Sequence, residues 1–229
     1  VDQTYAKRAY FYRELAIIYH HLGDTYREEE AAKTAINLYE EPVRGYTDMG
    51  WGYYYIGAYD QALDYFNEAV NRDPKYVSAY NGQGWSYYYM GNYATAVLCF
   101  ENGLAVDPQN ADIYDGLGHT YYQQGKYANA ITNIEKAIEL DEDYAYFLNE
   151  AYLGWSYYYS DNLDQAMSHF ERANQVDPQA SGPYQGFGDI YYQRNQMDLA
   201  LKNYEKYLEL CQGTPASYVL ERVQALQKN

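Results

Sequence analysis

Cysteine, proline and basic residues are all scarce in this chain, which has two Cys, six Pro and 16 Lys and Arg against 32 Asp and Glu in 229 residues. Cys99 and Cys211 are far apart in sequence. A disulfide needs Cα atoms roughly 4.4–6.8 Å apart, so no intrachain bridge is expected, and two isolated thiols do not define a redox compartment. No apolar run reaches the roughly eighteen residues that a membrane-spanning helix needs. The net charge of −16 opposes binding to a phosphate backbone, because nucleic-acid sites cluster Lys and Arg. It also opposes an anionic membrane surface, and it is compatible with a cationic or neutral partner. No signal peptide and no Asn-x-Ser/Thr sequon is visible. The chain opens on Val1 rather than Met, a slight lean toward a periplasmic or extracellular protein whose leader was removed, with the compartment otherwise open.

The residues of catalysis are equally thin. His20, His21, His119 and His169 are scattered, with no His-Glu-x-x-His or Cys-x-x-Cys spacing for a metal. Asp141, Glu142 and Asp143 are acidic neighbours but lack the Asp-x-Asp-x-Asp-Gly loop of a calcium site, so a solvated turn is expected there. There is no Gly-x-Ser-x-Gly elbow and no phosphate loop. No catalytic residue, metal or cofactor is expected, and the chain does not read as an enzyme.

What is abundant is tyrosine, 34 residues, with a mean hydropathy of −0.67. A core built from it is aromatic and full of hydroxyls that need partners. The tyrosines recur in a pattern. GWSYYYMGNYATAVLCFENGLAVDP from Gly84 to Pro108 is echoed from Gly50 to Pro74 and again from Gly154 to Pro178, with weaker copies opening at Gly118 and Gly188. Ala62, Ala96, Ala130, Ala166 and Ala200 keep the same steps, 34, 34, 36 and 34 residues. A fixed period of this length marks stacked repeats, each a unit that cannot bury its apolar face alone.

Read in order, residues 1–15 form an N-terminal helix, with Tyr5, Ala9 and Tyr12 at helical spacing. Residues 16–42 form a degenerate or truncated first repeat. Placing Gly23 in the role of Gly84, and Ala35, Ile36 and Leu38 against Gly103, Leu104 and Val106, leaves it seven residues short. Either its two helices fuse into one rod, or a segment that would hold the turn is absent. The second fits better, because REEEAAKTAINLYEE reads as an ordinary second helix. Regular units follow at 43–76, 77–110, 111–144, 147–180 and 181–214, with residues 145–146 inserted. Each is a helix, a turn carrying Gly57, Gly91, Gly125, Asp161-Asn162 or Asn195, and a second helix stopped in three units by Asp-Pro. Residues 215–229 read as a capping helix, with Thr214 as its N-cap, Pro215 in its first turn, Val219, Val223 and Leu226 as its apolar stripe and Glu221, Arg222 and Lys228 elsewhere on its surface.

Tyr80, Gly84, Tyr87, Tyr93, Ala96, Phe100 and Pro108, at these spacings, resemble the tetratricopeptide repeat (TPR). So do Tyr114, Leu117, Gly118, Tyr121, Tyr127, Ala130 and Ala137, and the likeness spans residues 16–214. The chain departs from the pattern in the short first unit, in the insertion, at Glu142 and Gln212 in place of proline, and at Glu150 where an aromatic usually stands. The resemblance implies an all-α solenoid, a right-handed superhelix of helix-turn-helix repeats whose first helices line a concave groove. In that family a peptide or protein usually binds there.

The groove positions that the resemblance implies lie one, four and five places after the repeat glycine. They carry Trp51, Tyr54 and Tyr55; Trp85, Tyr88 and Tyr89; His119, Tyr122 and Gln123; Trp155, Tyr158 and Tyr159; and Asp189, Tyr192 and Gln193. An earlier set carries Arg44, Thr47, Ser78, Asn81, Asp112, Asp115, Leu148, Ala151, Gly182 and Gln185. All three tryptophans fall at one equivalent spot. Such rings bury large area while keeping a polar handle, though rings at helical spacing also serve simply as core. The acids at 112, 115 and 189, and the shortage of Lys, Arg and Asn, argue against clamping a terminal carboxylate. The chain is therefore expected to be a non-catalytic scaffold that binds a protein or peptide in an aromatic groove. The alternative is a structural subunit, open to export, that assembles head-to-tail with further copies of itself into an oligomer or filament. A carbohydrate-binding module that stacks the same rings on sugar is the weaker alternative.

Overall fold

The computed structural model describes residues 3–228. Val1 and Asp2 of the expected N-terminal helix and Asn229 of the capping helix lie outside the described residues. The chain divides into two compact units, up to Thr120 and from Tyr121. Among the described residues the regular structure is helical, with no strand.

The first unit contains α1 (Gln3–Leu22), α2 (Thr25–Asn37), α3 (Pro42–Tyr55), α4 (Tyr59–Arg72), α5 (Val77–Tyr89) and α6 (Tyr93–Val106), and most of α7 (Ala111–Gln123). The second contains the end of α7, then α8 (Tyr127–Leu140), α9 (Phe147–Tyr159), α10 (Leu163–Val176), α11 (Gly182–Gln193), α12 (Met197–Leu210) and α13 (Ser217–Leu226). Helices pack in sequential pairs, α1 on α2, α3 on α4 and α5 on α6 in the first unit, α9 on α10 and α11 on α12 in the second. Between hairpins, α2 meets α3 and α4 meets α5 in the first unit, and α8 meets α9, α10 meets α11 and α12 meets α13 in the second.

The aromatic of the second helix joins one hairpin to the next. Phe66 of α4 is fully buried, and its ring lies where a Cβ on Gly50 or Gly82 would fall, at 2.6 and 2.2 Å. Phe100 relates in the same way to Gly84 and Gly116, and Phe170 to Gly154 and Gly186. One ring thus holds two successive first helices, and glycine is required because nothing larger lets the backbone approach. Burying each such ring contributes about 2–3 kcal/mol.

The first repeat is not short, which corrects the sequence reading. Gly23 has φ +69°, the left-handed conformation of the turn glycines Gly57, Gly91 and Gly125. Its counterpart is therefore Gly91, not Gly84. Ala16 takes the position of Gly84 and is fully buried, and the apparent seven-residue gap closes. The expected separate N-terminal helix continues into α1 as the first helix of this hairpin, and α2 begins behind Asp24, whose carboxylate accepts the Arg27 N–H at 3.1 Å. The two helices are neither fused nor missing a turn. Asp161 (φ 60°) and Asn195 (φ 58°) close their hairpins in the same left-handed conformation.

The insertion, residues 145–146, follows a 3-10 turn over Glu142–Tyr144, which is tied to α9 by the Asn149 side-chain N–H donating to the Tyr144 carbonyl at 3.0 Å. Glu150, the departure from an aromatic, is buried and receives the His169 ring nitrogen at 2.7 Å. The capping helix begins at Ser217, two residues past Pro215. Thr214 is not its N-cap. Ala216 is extended and donates its N–H to the Tyr207 hydroxyl at 3.0 Å, which holds the approach to α13 against α12.

Candidate functional site

In the first unit Trp51 and Trp85 project from α3 and α5, one residue after glycines that Phe66 and Phe100 press against. Each indole meets that phenylalanine in a T-shaped contact, with centroids 5.3 Å apart at 74° for Trp51–Phe66 and 5.8 Å at 83° for Trp85–Phe100. One helical turn later a tyrosine lies against the indole, Tyr55 at 6.1 Å and 30° from Trp51 and Tyr89 at 6.2 Å and 33° from Trp85. The second unit repeats the arrangement on α9, where Trp155 lies 5.0 Å from Phe170 and 5.9 Å from Tyr159. Each tryptophan is half-buried and touches both a fully buried phenylalanine and an exposed tyrosine. The phenols meet solvent, Tyr55 being 77%, Tyr89 54% and Tyr159 52% exposed.

The tyrosines four places after the repeat glycine are half-buried partners of these layers. Tyr54 touches Tyr59 and Tyr89 at 5.8 and 5.7 Å, and Tyr88 touches Tyr93 at 5.6 Å. In the second unit Tyr122 lies 4.5 Å from Tyr152, Tyr158 accepts a hydrogen bond from the Gln193 amide at 2.8 Å, and Tyr192 lies under the Arg222 guanidinium at 4.3 Å. Tyr59 and Tyr89 stack at 5.7 Å and 11°, Tyr127 and Tyr159 at 4.7 Å and 23°. Burial raises the pKa of Tyr54, Tyr122, Tyr158 and Tyr159 above the ordinary phenol value, so these hydroxyls remain neutral.

Several residues assigned to the groove are not at a surface. His119 is buried with its ring against Trp85 at 5.5 Å. Thr47 is buried and spends its hydroxyl on the Val43 carbonyl. Asp115 and Asp189 are buried as well, so neither stands as a surface charge to repel a ligand. Asp189 accepts hydrogen bonds from the Tyr204 hydroxyl at 2.8 Å, the Tyr218 hydroxyl at 2.7 Å and Arg222 at 2.5 Å. Arg222, read from sequence as surface, is instead the clasp of the capping helix, its guanidinium 4.9 Å over Tyr218. The usable signal was an Asp in the place of the three tryptophans, answered by an Arg 33 residues on.

The second unit also holds a cleft of about 620 Å³ beside Trp155, bordered by Phe147, Leu148, Ala151, Asp177 and Leu210. Three of these, Leu148, Ala151 and Trp155, are positions that the repeat pattern assigned to the groove. Among the described residues no cluster of His, Cys, Asp and Glu could hold a metal, and no helix is long and apolar enough to cross a membrane.

Comparison with known families gives tetratricopeptide repeat matches at residues 43–76, 111–144 and 182–214, and a TPR repeat match at 84–125. Together these span more than half of the chain. No curated protein sequence matches. Among solved structures, YrrB, described as a TPR protein with an unusual peptide-binding site, is 22% identical with a TM-score of 0.70, covering 85% of this chain and 98% of its own. The PilF protein of Pseudomonas aeruginosa is 20% identical, TM-score 0.68, covering 81% and 83%. MamA is 24% identical, TM-score 0.63, covering 70% and 93%.

Proposed function

The chain belongs to the tetratricopeptide repeat family, and from that premise we propose that it is a non-catalytic scaffold holding a peptide or protein partner against its Trp–Tyr layers. A role in protein–protein interaction follows from the fold, whereas the aromatic face as its site is our reading. One observation carries it: three indoles occupy the same register, each backed by a buried phenylalanine and covered by an exposed tyrosine. Rings held rigidly by core contacts lose little entropy when a partner covers them. The peptide-binding site described for YrrB agrees with this use of the fold. The test substitutes Tyr55, Tyr89 and Tyr159 together by Ser, which leaves the indoles and their phenylalanine backing in place. Partner capture from cells of the source should be lost while helical circular dichroism is unchanged, and undiminished capture contradicts the reading.

A second reading rests on α1. Phe11 and Ile18 are 60% and 52% exposed, yet their register is buried in every later repeat, at Gly45, Ala79, Ile113, Asn149 and Pro183 and at Gly52, Ser86, Thr120, Ser156 and Ile190. This is the face on which a neighbouring hairpin stacks, and a second copy docking there would give the self-assembly of the alternative reading. Light scattering against concentration tests it. Association abolished by Phe11→Ser with Ile18→Ser supports assembly, and a monomer at all concentrations rules it out.

A further inference from the structure

We propose that the cleft beside Trp155 is an anchor site for a peptide segment in which a large apolar side chain is followed by arginine or lysine; this rests on the scaffold reading and names the ligand chemistry of one part of it. The lining argues the apolar half. Six places before the repeat glycine the other regular units carry Arg44, Ser78, Asp112 and Gly182, and the fourth carries Leu148, which is 40% exposed. Three places before it they carry Thr47, Asn81, Asp115 and Gln185, and the fourth carries Ala151. Only this repeat is apolar at both positions, and both residues border the cleft with Trp155. Its volume of about 620 Å³ lies within the roughly 300–1,000 Å³ of ligand sites and admits a side chain with its flanking backbone.

The charged half comes from Asp177. In the second regular repeat the equivalent Asp107 uses both carboxylate oxygens, one on the Gln109 N–H at 3.2 Å and one on the Asn110 amide at 3.1 Å. In the fourth, among the described residues, the Asp177 carboxylate accepts the Gln179 N–H alone, at 2.9 Å, while its backbone carbonyl accepts the Ala180 N–H at 3.2 Å. Ala180 stands where Asn110 would be, which leaves the second oxygen without a side-chain partner. Among the described residues no lysine or arginine borders the cleft. A lone carboxylate beside an apolar cleft selects a cation next to an apolar group, because the charge-assisted bond rewards the cation and like charge penalises an acid.

The test uses the full chain carrying Trp51→Phe and Trp85→Phe, so that Trp155 is the sole indole. The probe is acetyl-Gly-Ser-Leu-Arg-Gly-Ser-amide, with companions in which Arg becomes Glu or Ala, or Leu becomes Ala. The Leu-Arg peptide should shift Trp155 emission saturably. Replacing Arg by Glu, or introducing Asp177→Asn, should weaken its binding about fivefold or more, as for a lost charge-assisted bond. Binding of the Leu-Ala peptide should be indifferent to Asp177→Asn, and Leu148→Asp should abolish binding. If that last variant loses helicity, the Asp177→Asn comparison decides alone. Equal binding of Leu-Arg and Leu-Glu peptides, or an Asp177→Asn variant that binds Leu-Arg as before, overturns the proposal. If no probe moves Trp155 while the Tyr55, Tyr89 and Tyr159 substitutions still release a captured partner, the anchor site falls and the scaffold reading stands.

Discussion

Asp189 of α11 and Arg222 of α13 are joined at 2.5 Å, the carboxylate almost wholly buried and the guanidinium about a third exposed. The pair takes the register that holds tryptophan in three other repeats and turns it inward, fastening the capping helix. Removing one partner of a buried pair leaves a charge without compensation, typically about 3–5 kcal/mol. Partial solvation of Arg222 and the two phenols that remain bonded to Asp189 lower that here. Arg222→Ala is expected to cost about 2 kcal/mol, measured by urea denaturation, and to speed amide exchange in α13 before the rest of the second unit. Exchange unchanged in α13 would show that the clasp does not hold it.

The repeat architecture is legible in sequence because the same physical problem is solved several times: a small residue, an aromatic, and a turn residue in left-handed conformation, at fixed steps. Where one solution is disguised, the sequence misleads. Gly23 looks like the close-approach glycine when it performs the turn, since Ala16 fills the other role and sequence does not distinguish a glycine needed for φ from one needed for space. Burial of His119 and Asp189 is hidden for a different reason. Both are polar residues at a register held by tryptophan elsewhere, and only their neighbours, Trp85 and Arg222, decide that they face inward. The cleft beside Trp155 is likewise invisible in sequence as a cleft, although Leu148 and Ala151 fall at groove positions of the repeat.

These two kinds of glycine separate experimentally. At Gly23, φ +69° with nothing within 4 Å of an added Cβ makes conformation the whole cost. Gly23→Ala should therefore lose about 1 kcal/mol, while Gly23→Asn should lose much less, since Asn195 already performs that turn at φ 58°. At Gly82 conformation is ordinary and space is the constraint: a Cβ would lie 2.2 Å from the Phe66 ring. Gly82→Ala should cost about 1–3 kcal/mol, because the ring is also confined by Gly50 on its other side. Thermal melts of the three variants check the order, and an Asn at 23 as damaging as Ala would contradict the turn assignment.

Alkali should unfold the first unit through its buried phenols. Tyr53 is fully buried, donates to Glu28 at 2.6 Å and stacks on Tyr65 at 5.3 Å. Burial, then the bond to Glu28, holds Tyr53 far above the ordinary phenol range, and burial with the Glu28 charge pushes Tyr65 up to about 12. Both folded values exceed the unfolded value of 10.0, so this contribution is fully present below pH 10. It is lost as pH rises toward the folded values, where the unfolded chain releases protons that the folded one retains. Phenolate absorbance from these residues should appear together with loss of helical circular dichroism. Ionisation of every tyrosine with helicity intact would show that Tyr53 and Tyr65 are not sealed.

The outer phenols should behave as removable covers. Tyr55, Tyr89 and Tyr159 lie against the tryptophans but are themselves more than half exposed, whereas the indoles keep their contacts to Phe66, Phe100 and Phe170. An aromatic pair contributes about 0.5–1.5 kcal/mol beyond area burial, and solvent exposure places each of these near the lower end. A single Tyr→Ser change should therefore lower stability by about 0.5 kcal/mol, shift tryptophan emission to the red and raise its quenching by acrylamide. Because the loss is small, the triple variant remains folded, and any loss of partner binding in it reports on the surface and not on the core. Quenching that stays at its original level in the triple variant would mean that the phenols do not cover the indoles in solution, and the layered face would then have no outer layer to offer a partner.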